Sequence, residues 1–281
     1  MPRKHLLISI LAFILWVLTS HNISAQVGNI TGMSISGNTL NIQCGTDLVV
    51  FQVCTENVIM IDLRPNGIKS PDTLVIGNTT WAPVQAAIDT SSIPIKITTS
   101  KYKIAIDRYP MRFYAYNSAG ELLCFEPITQ GISQSGIQLT TTGGNFYGVH
   151  NHRDGGLQTT GGNIFAGSQG EAGAPFIWTT RGWGILADVD SGRIDYSTNS
   201  INLITSPTSK INMDVYLLFG SPKEIINAMT DVTGKPPLFP KFTLGFLNSQ
   251  WGIDQTSLLS YVSTYRAKEF LSMHISSTLI G

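Results

Sequence analysis

The sequence is poor in charge and in cysteine, and each shortage excludes a class of protein. Charged residues make up 13% of the 281 residues, and 18 Lys and Arg residues balance 18 Asp and Glu residues. This balance leaves no basic surface for nucleic acid or for an anionic membrane, so we expect no nucleic-acid partner and a neutral ligand. Cys44, Cys54 and Cys124 form no Cys-x-x-Cys pair, which argues against a zinc site. They allow either buried free thiols or one disulfide, with Cys44 and Cys54 as the nearer pair.

Several motifs that carry chemistry are absent. No Gly-Lys-Ser/Thr follows a glycine-rich stretch, and neither Gly-x-Ser-x-Gly nor His-Glu-x-x-His occurs. These absences remove the support for a nucleotide-binding loop, a serine hydrolase and a zinc protease. We therefore predict that the protein uses no cofactor.

The one long hydrophobic run lies at the start of the chain. Basic residues 3–5 precede the apolar residues 6–18, a run too short to span a bilayer comfortably. The small residues Ser24 and Ala25 then favour cleavage before Gln26. We predict that residues 1–25 are a signal peptide and that the mature protein is secreted or periplasmic, with no membrane contact after cleavage. The alternative is an uncleaved anchor.

Residues 40–219 alternate short runs rich in Val, Ile, Thr, Tyr and Phe with Gly, Asn, Ser and Pro. This pattern is typical of strands and turns, and no long helical periodicity interrupts it. We predict a mostly β fold in which residues 26–220 form a sandwich of antiparallel strands. A hairpin turn is expected at residues 117–120.

The pattern changes at residue 221. Ser221, Pro222 and Glu224 have the spacing of a helix start with a capping box, which predicts a helix to about Val232. Gly234 ends it, and three prolines make residues 221–240 a helix followed by a stiff connector. Beyond it, residues 242–247 are predicted as a buried strand and residues 256–268 as an amphipathic helix. Such a pair, within residues 241–270, is the first unit of an α/β domain.

Two polar segments can reach a ligand. The first carries His150, His152, Arg153 and Asp154 and precedes a glycine-rich stretch. A His-x-His pair can present two imidazoles to a metal, but no third ligand is indicated, so we predict no metal site. The second segment, residues 169–175, precedes the strand that contains Trp178. Aromatic rings beside polar amides suit the faces and hydroxyls of sugars, although Trp178 and Trp183 fit core packing equally well.

Three segments of the sequence resemble glycoside hydrolase family 31. Residues 175–186, PFIWTTRGWGIL, resemble its "PF-aromatic-S/T-x-x-G-aromatic-G-V-L" segment, and residues 146–149, FYGV, resemble its "FYGLG" strand. In relatives that strand usually continues with Glu where this chain has Asn151, so we expect the entrance of the pocket to be altered. The most specific match is residues 233–246, TGKPPLFPKFTLGF, followed by Gln250-Trp251-Gly252, which resemble the family's "TGxPPLPPxWxLGFxxSxxG" junction.

The resemblance implies an N-terminal galactose-mutarotase-like β-sandwich packed on a (β/α)8 barrel, of which this chain holds the first β/α unit. Family members act mainly on α-glycosidic bonds with retention, using two aspartates about 5–5.5 Å apart. In the family these aspartates end the fourth and sixth barrel strands, so we expect no catalytic residue in this chain and no activity from it alone. By position, Gln169 and Glu171 would lie on a loop over the sugar pocket, and Gln250 and Trp251 would face the same pocket.

These observations leave three hypotheses. The first is an incomplete family-31-like enzyme whose partner is an α-linked glycoside or oligosaccharide. The second is a free-standing carbohydrate-binding β-sandwich. The third is an aldose-epimerase-like enzyme in which His150 or His152 exchanges protons with a sugar together with Glu171.

The tail, residues 271–281, does not fit the family pattern, which expects "P-x-D-x-x-x-x-D" after the first helix. Permitted codons for the tail, read one base earlier, encode Pro-Phe-Asp-Ala-Tyr-Ile-Leu-Asp-Phe-Asp-Trp, which resembles the family's second barrel strand. We therefore interpret the tail as the product of a frameshift.

Overall fold

A computed structural model describes most of the chain after the predicted signal peptide. The described residues are 27–69, 75–129, 131–133, 135–148, 160–166, 175–189, 191–205, 214–240, 246–268 and 272–278. The chain divides into two compact units, Met1–Gly234 and Lys235–Gly281, which we describe separately.

The first unit is built almost entirely from strands. They are β1 Gly32–Ser36, β2 Thr39–Cys44, β3 Asp47–Thr55, β4 Val58–Arg64, β5 Ala87–Asp89, β6 Ile95–Thr98, β7 Tyr102–Arg108, β8 Met111–Asn117, β9 Leu122–Phe125, β10 Ile132–Ser133, β11 Gly136–Thr141, β12 Phe146–Tyr147, β13 Gly161–Ala166, β14 Phe176–Thr179, β15 Trp183–Asp188, β16 Gly192–Ser197, β17 Ser200–Thr205 and β18 Asp214–Phe219.

These strands form two antiparallel sheets. The eight-stranded sheet has the order β1-β2-β3-β4-β18-β15-β14-β12. The ten-stranded sheet has the order β13-β16-β17-β11-β9-β8-β7-β6-β5, with β10 paired to β11. Aromatic side chains from the two sheets meet: the rings of Phe51 and Phe113 lie 6.0 Å apart, and those of Tyr102 and Phe219 stack at 4.5 Å. The predicted β-sandwich is confirmed.

The burial pattern shows which strands are covered on both faces. Strands β2 and β11 alternate buried and half-buried residues, as expected where only one face meets the core. In β15 and β18 every residue is buried, because a second hydrophobic cluster covers the outer face of the eight-stranded sheet. That cluster includes Ile225, Ala228 and Val232 of the helix α1, Pro222–Thr233.

Helix α1 begins and ends as the sequence predicts. The Ser221 N–H and hydroxyl both donate to Glu224 Oε2 at 2.8 Å, so the capping box is formed, and Pro222 occupies the first turn. Gly234 ends the helix with φ 89°, a conformation that favours glycine. Lys101 Nζ also lies 2.7 Å from Glu224 Oε1, which ties the helix to the turn between β6 and β7.

All three cysteines are buried and free. Burial raises the pKa of Cys44 to about 11 and that of Cys54 to about 12, and it raises the pKa of Cys124 further. Because the thiolate is the reactive form, we expect the folded protein at pH 8 to react with a thiol reagent at least about a hundredfold more slowly than the urea-unfolded protein. A thiol that reacts as fast in the folded protein as in urea would contradict this burial.

The second unit contains a strand, a helix and a strand: β19 Phe246–Trp251, α2 Gln255–Ala267 and β20 Ser272–Thr278. Asp254 caps α2 by accepting a hydrogen bond from Ser257 N at 2.8 Å. Strands β19 and β20 pair in parallel, which is the arrangement of a β/α unit. The described first strand begins later than the predicted 242–247, and residues 241–245 lie outside the described part. The frameshift stays a prediction, although the tail contributes β20.

Among the residues that the structure describes, no helix combines the length and the apolar composition needed to cross a membrane.

Candidate functional site

The two predicted ligand-binding segments are attached to one edge of the eight-stranded sheet. Strand β12 pairs with β14, and Tyr147 lies opposite Trp178. Because the two strands are antiparallel, the end of β12 and the start of β14 lie at the same end of the sheet. The segment with His150, His152, Arg153 and Asp154 follows β12, and the segment with Gln169 and Glu171 precedes β14. These six residues lie outside the described part of the chain.

An aromatic pair marks this edge of the sheet. The rings of Tyr147 and Trp178 stack with centroids 5.0 Å apart and an interplanar angle of 28°. Both residues are half-buried, and Trp178 also packs against the second hydrophobic cluster. Gly148 follows at φ 86°, and a Cβ there would lie 3.0 Å from Trp178 Cδ1. The chain therefore leaves β12 directly over the aromatic pair, where a larger residue would collide with Trp178.

The sequence did not decide whether Trp178 and Trp183 contact a sugar or pack in the core, and the structure gives them different surroundings. Trp183 is fully buried, and its ring packs edge-on against Phe146, with centroids 6.0 Å apart at 89°. The ring of Phe146 also packs against the ring of Tyr196 in the other sheet, with centroids 6.0 Å apart. Trp183 is therefore part of the core between the sheets, and Trp178 is the more exposed of the two.

Three buried aspartates form a row across the eight-stranded sheet. Asp214 of β18 lies opposite Asp62 of β4 on one side and opposite Asp188 of β15 on the other. Burial raises the pKa of Asp214 to about 8, and the charge and hydrogen bond of Asp62 raise it as well. Arg64 Nε contacts Asp62 Oδ2 at 2.6 Å, and Val75 N donates to Asp188 Oδ1 at 2.9 Å.

This row does not have the properties of a catalytic or metal site. Asp62 and Asp188 are each 1% exposed and Asp214 is 7% exposed, so a substrate cannot reach them. Among the described residues, no group of three or more His, Cys, Asp or Glu side chains is arranged to hold a metal ion. The sequence analysis did not predict this row of aspartates. The signal that could have indicated it is that each aspartate lies in a mostly apolar strand.

A fourth buried carboxylate also has a structural role. Both oxygens of Glu126 accept backbone hydrogen bonds, from Ile132 N at 2.7 Å and from Phe113 N at 2.8 Å. Burial raises the pKa of Glu126 to about 7, although the two hydrogen bonds and the charge of Arg112 each lower it. The side chain joins β8 to β10 and does not face solvent.

Gln250 and Trp251 are the last two residues of β19 in the second unit. The structure describes their backbone only, so their predicted orientation towards a pocket stays a prediction.

The comparisons with known proteins agree with this fold. No protein-family model matches the chain. The 1,6-alpha-glucosyltransferase of Sporosarcina globispora is 34% identical over 278 residues, which cover 89% of this chain and 21% of that protein. Alpha-glucosidase 2 of Bacillus thermoamyloliquefaciens is 23% identical over 82% of this chain and 32% of its own length. The chain thus spans between about a fifth and a third of these two relatives.

A solved structure shares the fold at low sequence identity. The GH31 dextranase of Flavobacterium johnsoniae, complexed with glucose, superposes with a TM-score of 0.68 at 19% identity, over 87% of this chain and 33% of that chain. The class is therefore a mostly β, galactose-mutarotase-like sandwich followed by the first β/α unit of a barrel, as predicted. The chain belongs to glycoside hydrolase family 31.

Proposed function

We propose that the sandwich forms one wall of the sugar pocket of an exported enzyme that acts on α-glycosidic bonds. The observation that carries the proposal is the half-exposed Tyr147–Trp178 pair, at the sheet edge from which both polar segments depart. An aromatic face packs against the apolar face of a sugar ring, while nearby polar side chains bind its hydroxyls. The activities for which the two relatives are named, glucosyl transfer and glucoside hydrolysis, support an α-glucan as the ligand.

We further propose that the 281-residue chain alone has no glycosidase activity. Retaining hydrolysis needs one carboxylate as nucleophile and another as acid and base, both in contact with the sugar. The row of Asp62, Asp188 and Asp214 is buried, so it cannot supply them. We expect no release of nitrophenol from nitrophenyl α-glucoside above the blank. Turnover that copurifies with the chain through several columns would contradict the proposal.

Binding tests the proposal independently of turnover. Replacing Trp178 with Ala is expected to weaken the binding of isomaltotriose about tenfold or more, because stacking on the ring is lost. Calorimetric titration of the full chain measures the effect. Tyr114→Ala is the matched control, because Tyr114 stacks on Phe125 at 5.9 Å in the other sheet. An equal loss in both variants would mean that the Trp178 effect is not local.

The free-standing binding module remains the second candidate, because the sandwich is a compact unit with its own core. A fragment of residues 27–234 that binds isomaltotriose as tightly as the full chain favours this candidate. Weaker binding by the fragment would count against this candidate. Polarimetry with glucose anomers tests the aldose-epimerase hypothesis, and we expect no acceleration of mutarotation.

A further inference from the structure

A second concave site lies on the outer face of the eight-stranded sheet. It encloses about 420 Å³, within the range of small-molecule sites, and its lining includes Thr55, Glu56, Asn78, Trp81, Gln85 and Asp231. We call it the Trp81 cleft. The cleft borders the C-terminal end of α1, where Asp231 lies. Trp178 lies near the N-terminal end of the same helix, because Gly184 is close to both Trp178 and Ile225. The Trp81 cleft is therefore distinct from the aromatic pair at the β12–β14 edge.

The apolar part of the cleft is rigid. Trp81 is half-buried and packs against the second hydrophobic cluster, which contains Val50, Cys54 and Val58. Trp81 thus contacts the core and also lines the cleft. A fixed indole face of this kind binds an apolar surface with little loss of side-chain entropy.

The polar part of the cleft offers both donors and acceptors. Asn78 Oδ1 accepts from Thr80 N at 3.1 Å, which leaves the Asn78 amide N–H groups to donate to a ligand. Glu56 Oε2 accepts from the Ser100 hydroxyl, so Oε1 is the oxygen that can accept from a ligand. The exposed side chains of Gln85 and Asp231 add an amide and a second carboxylate.

Long-range hydrogen bonds fix the walls around these groups. Gly77 N and Asn78 N both donate to Val232 O, at 2.9 and 3.0 Å, which holds one wall against α1. Asn38 Nδ2 donates to Val84 O at 3.2 Å, and Thr99 Oγ1 donates to Glu56 O at 2.9 Å. The site is therefore formed before any ligand arrives, which lowers the entropy cost of binding.

We propose that the Trp81 cleft is a second carbohydrate site, which binds a neutral oligosaccharide away from the pocket described above. A sugar uses every group present: its apolar face packs on Trp81, and its hydroxyls donate to carboxylates and accept from amides. Glu56 and Asp231 would repel an anionic ligand. A cation would use the carboxylates and the indole but would leave the amide donors of Asn78 and Gln85 without acceptors. A site of this kind would hold the protein on a glucan chain.

The indole N–H signals in a two-dimensional NMR spectrum test the proposal on the full chain, with isomaltotriose and maltotriose as probes. Trp81→Phe assigns the Trp81 signal and preserves the apolar cover of the core. We expect the Trp81 signal to shift and saturate with at least one of the two probes. The Trp178 signal reports the other pocket, so failure of either site is seen separately.

The variants sharpen the result. Gln85→Ala combined with Asp231→Ala removes two exposed side chains and is expected to weaken the binding seen at Trp81 at least about tenfold. Asn227→Ala is the matched control, because it lies on α1 one turn before Asp231 and is also exposed. No Trp81 shift with either probe, an equal effect of the control, or saturation with tetramethylammonium in place of sugar would each overturn the proposal.

Discussion

Asp214→Asn is expected to abolish most of the loss of stability that the wild-type protein shows as the pH rises from about 4 to about 8. Burial raises the pKa of Asp214 from 3.8 to about 8, and Asp62 adds its charge and a hydrogen bond. In this range the folded protein keeps a proton that the unfolded chain releases. The free energy of unfolding therefore falls as the pH rises from about 4, by at most about 1.4 kcal/mol per pH unit, and levels off above about 8.

Asparagine cannot ionise, and its amide N–H can donate to Asp62 as the protonated carboxyl does. The variant should match the wild type near pH 4 and exceed it by several kcal/mol at pH 8. Urea unfolding at five pH values from 4 to 9 measures this difference. Glu126, whose pKa is raised to about 7 by burial, lowers stability over part of the same range, but it does so in both proteins and cancels in the comparison.

Asp195→Asn is the matched control for this experiment. Asp195 lies on β16, is 36% exposed and pairs with Arg193 at 2.9 Å, so its loss should change stability by no more than about 0.5 kcal/mol. Parallel stability curves for Asp214→Asn and the wild type would show that Asp214 does not hold a proton in the folded protein.

The sequence predicts those parts of the fold that are encoded locally. Strands β3, β4, β7 and β8 are long runs rich in β-branched and aromatic residues, and they lie within residues 40–219, where the sequence pattern predicts strands and turns. The hairpin turn at 117–120 is confirmed by the bond from Gly120 N to Asn117 O. Helix α1 was predicted because its capping box lies within four residues of sequence.

Elements that depend on distant partners were not predictable in the same way. Strands β10 and β12 have two residues each, too few to show an alternation of burial. Gly161 and Gly162 end the glycine-rich stretch that follows Asp154, yet they form the start of β13 by pairing with Ser197 and Tyr196. Their strand conformation comes from β16, and no local residue preference indicates it.

The sites show the same division between local and distant information. The aspartate row requires the strand order β4-β18-β15, in which no neighbouring strands are consecutive along the chain. The alternation of apolar and polar residues also cannot show which face of β14 or β15 points to the core between the sheets, because hydrophobic clusters cover both faces of this part of the sheet. The roles of Trp178 and Trp183 therefore became distinct only when their neighbours were known.

Trp183→Ala is expected to lower the free energy of unfolding by about 3–5 kcal/mol, since the whole indole is buried and the sheets cannot collapse around the cavity. Trp183→Phe should cost much less, because the buried Nε1 has no hydrogen-bond partner among the described residues and the ring contact with Phe146 is kept. Trp178→Ala, at a half-buried position, is the control and should cost about 1–2 kcal/mol. Urea unfolding followed by circular dichroism compares the three variants. An equal cost for the two alanine variants would contradict the assignment of Trp183 to the core and of Trp178 to the accessible sheet edge.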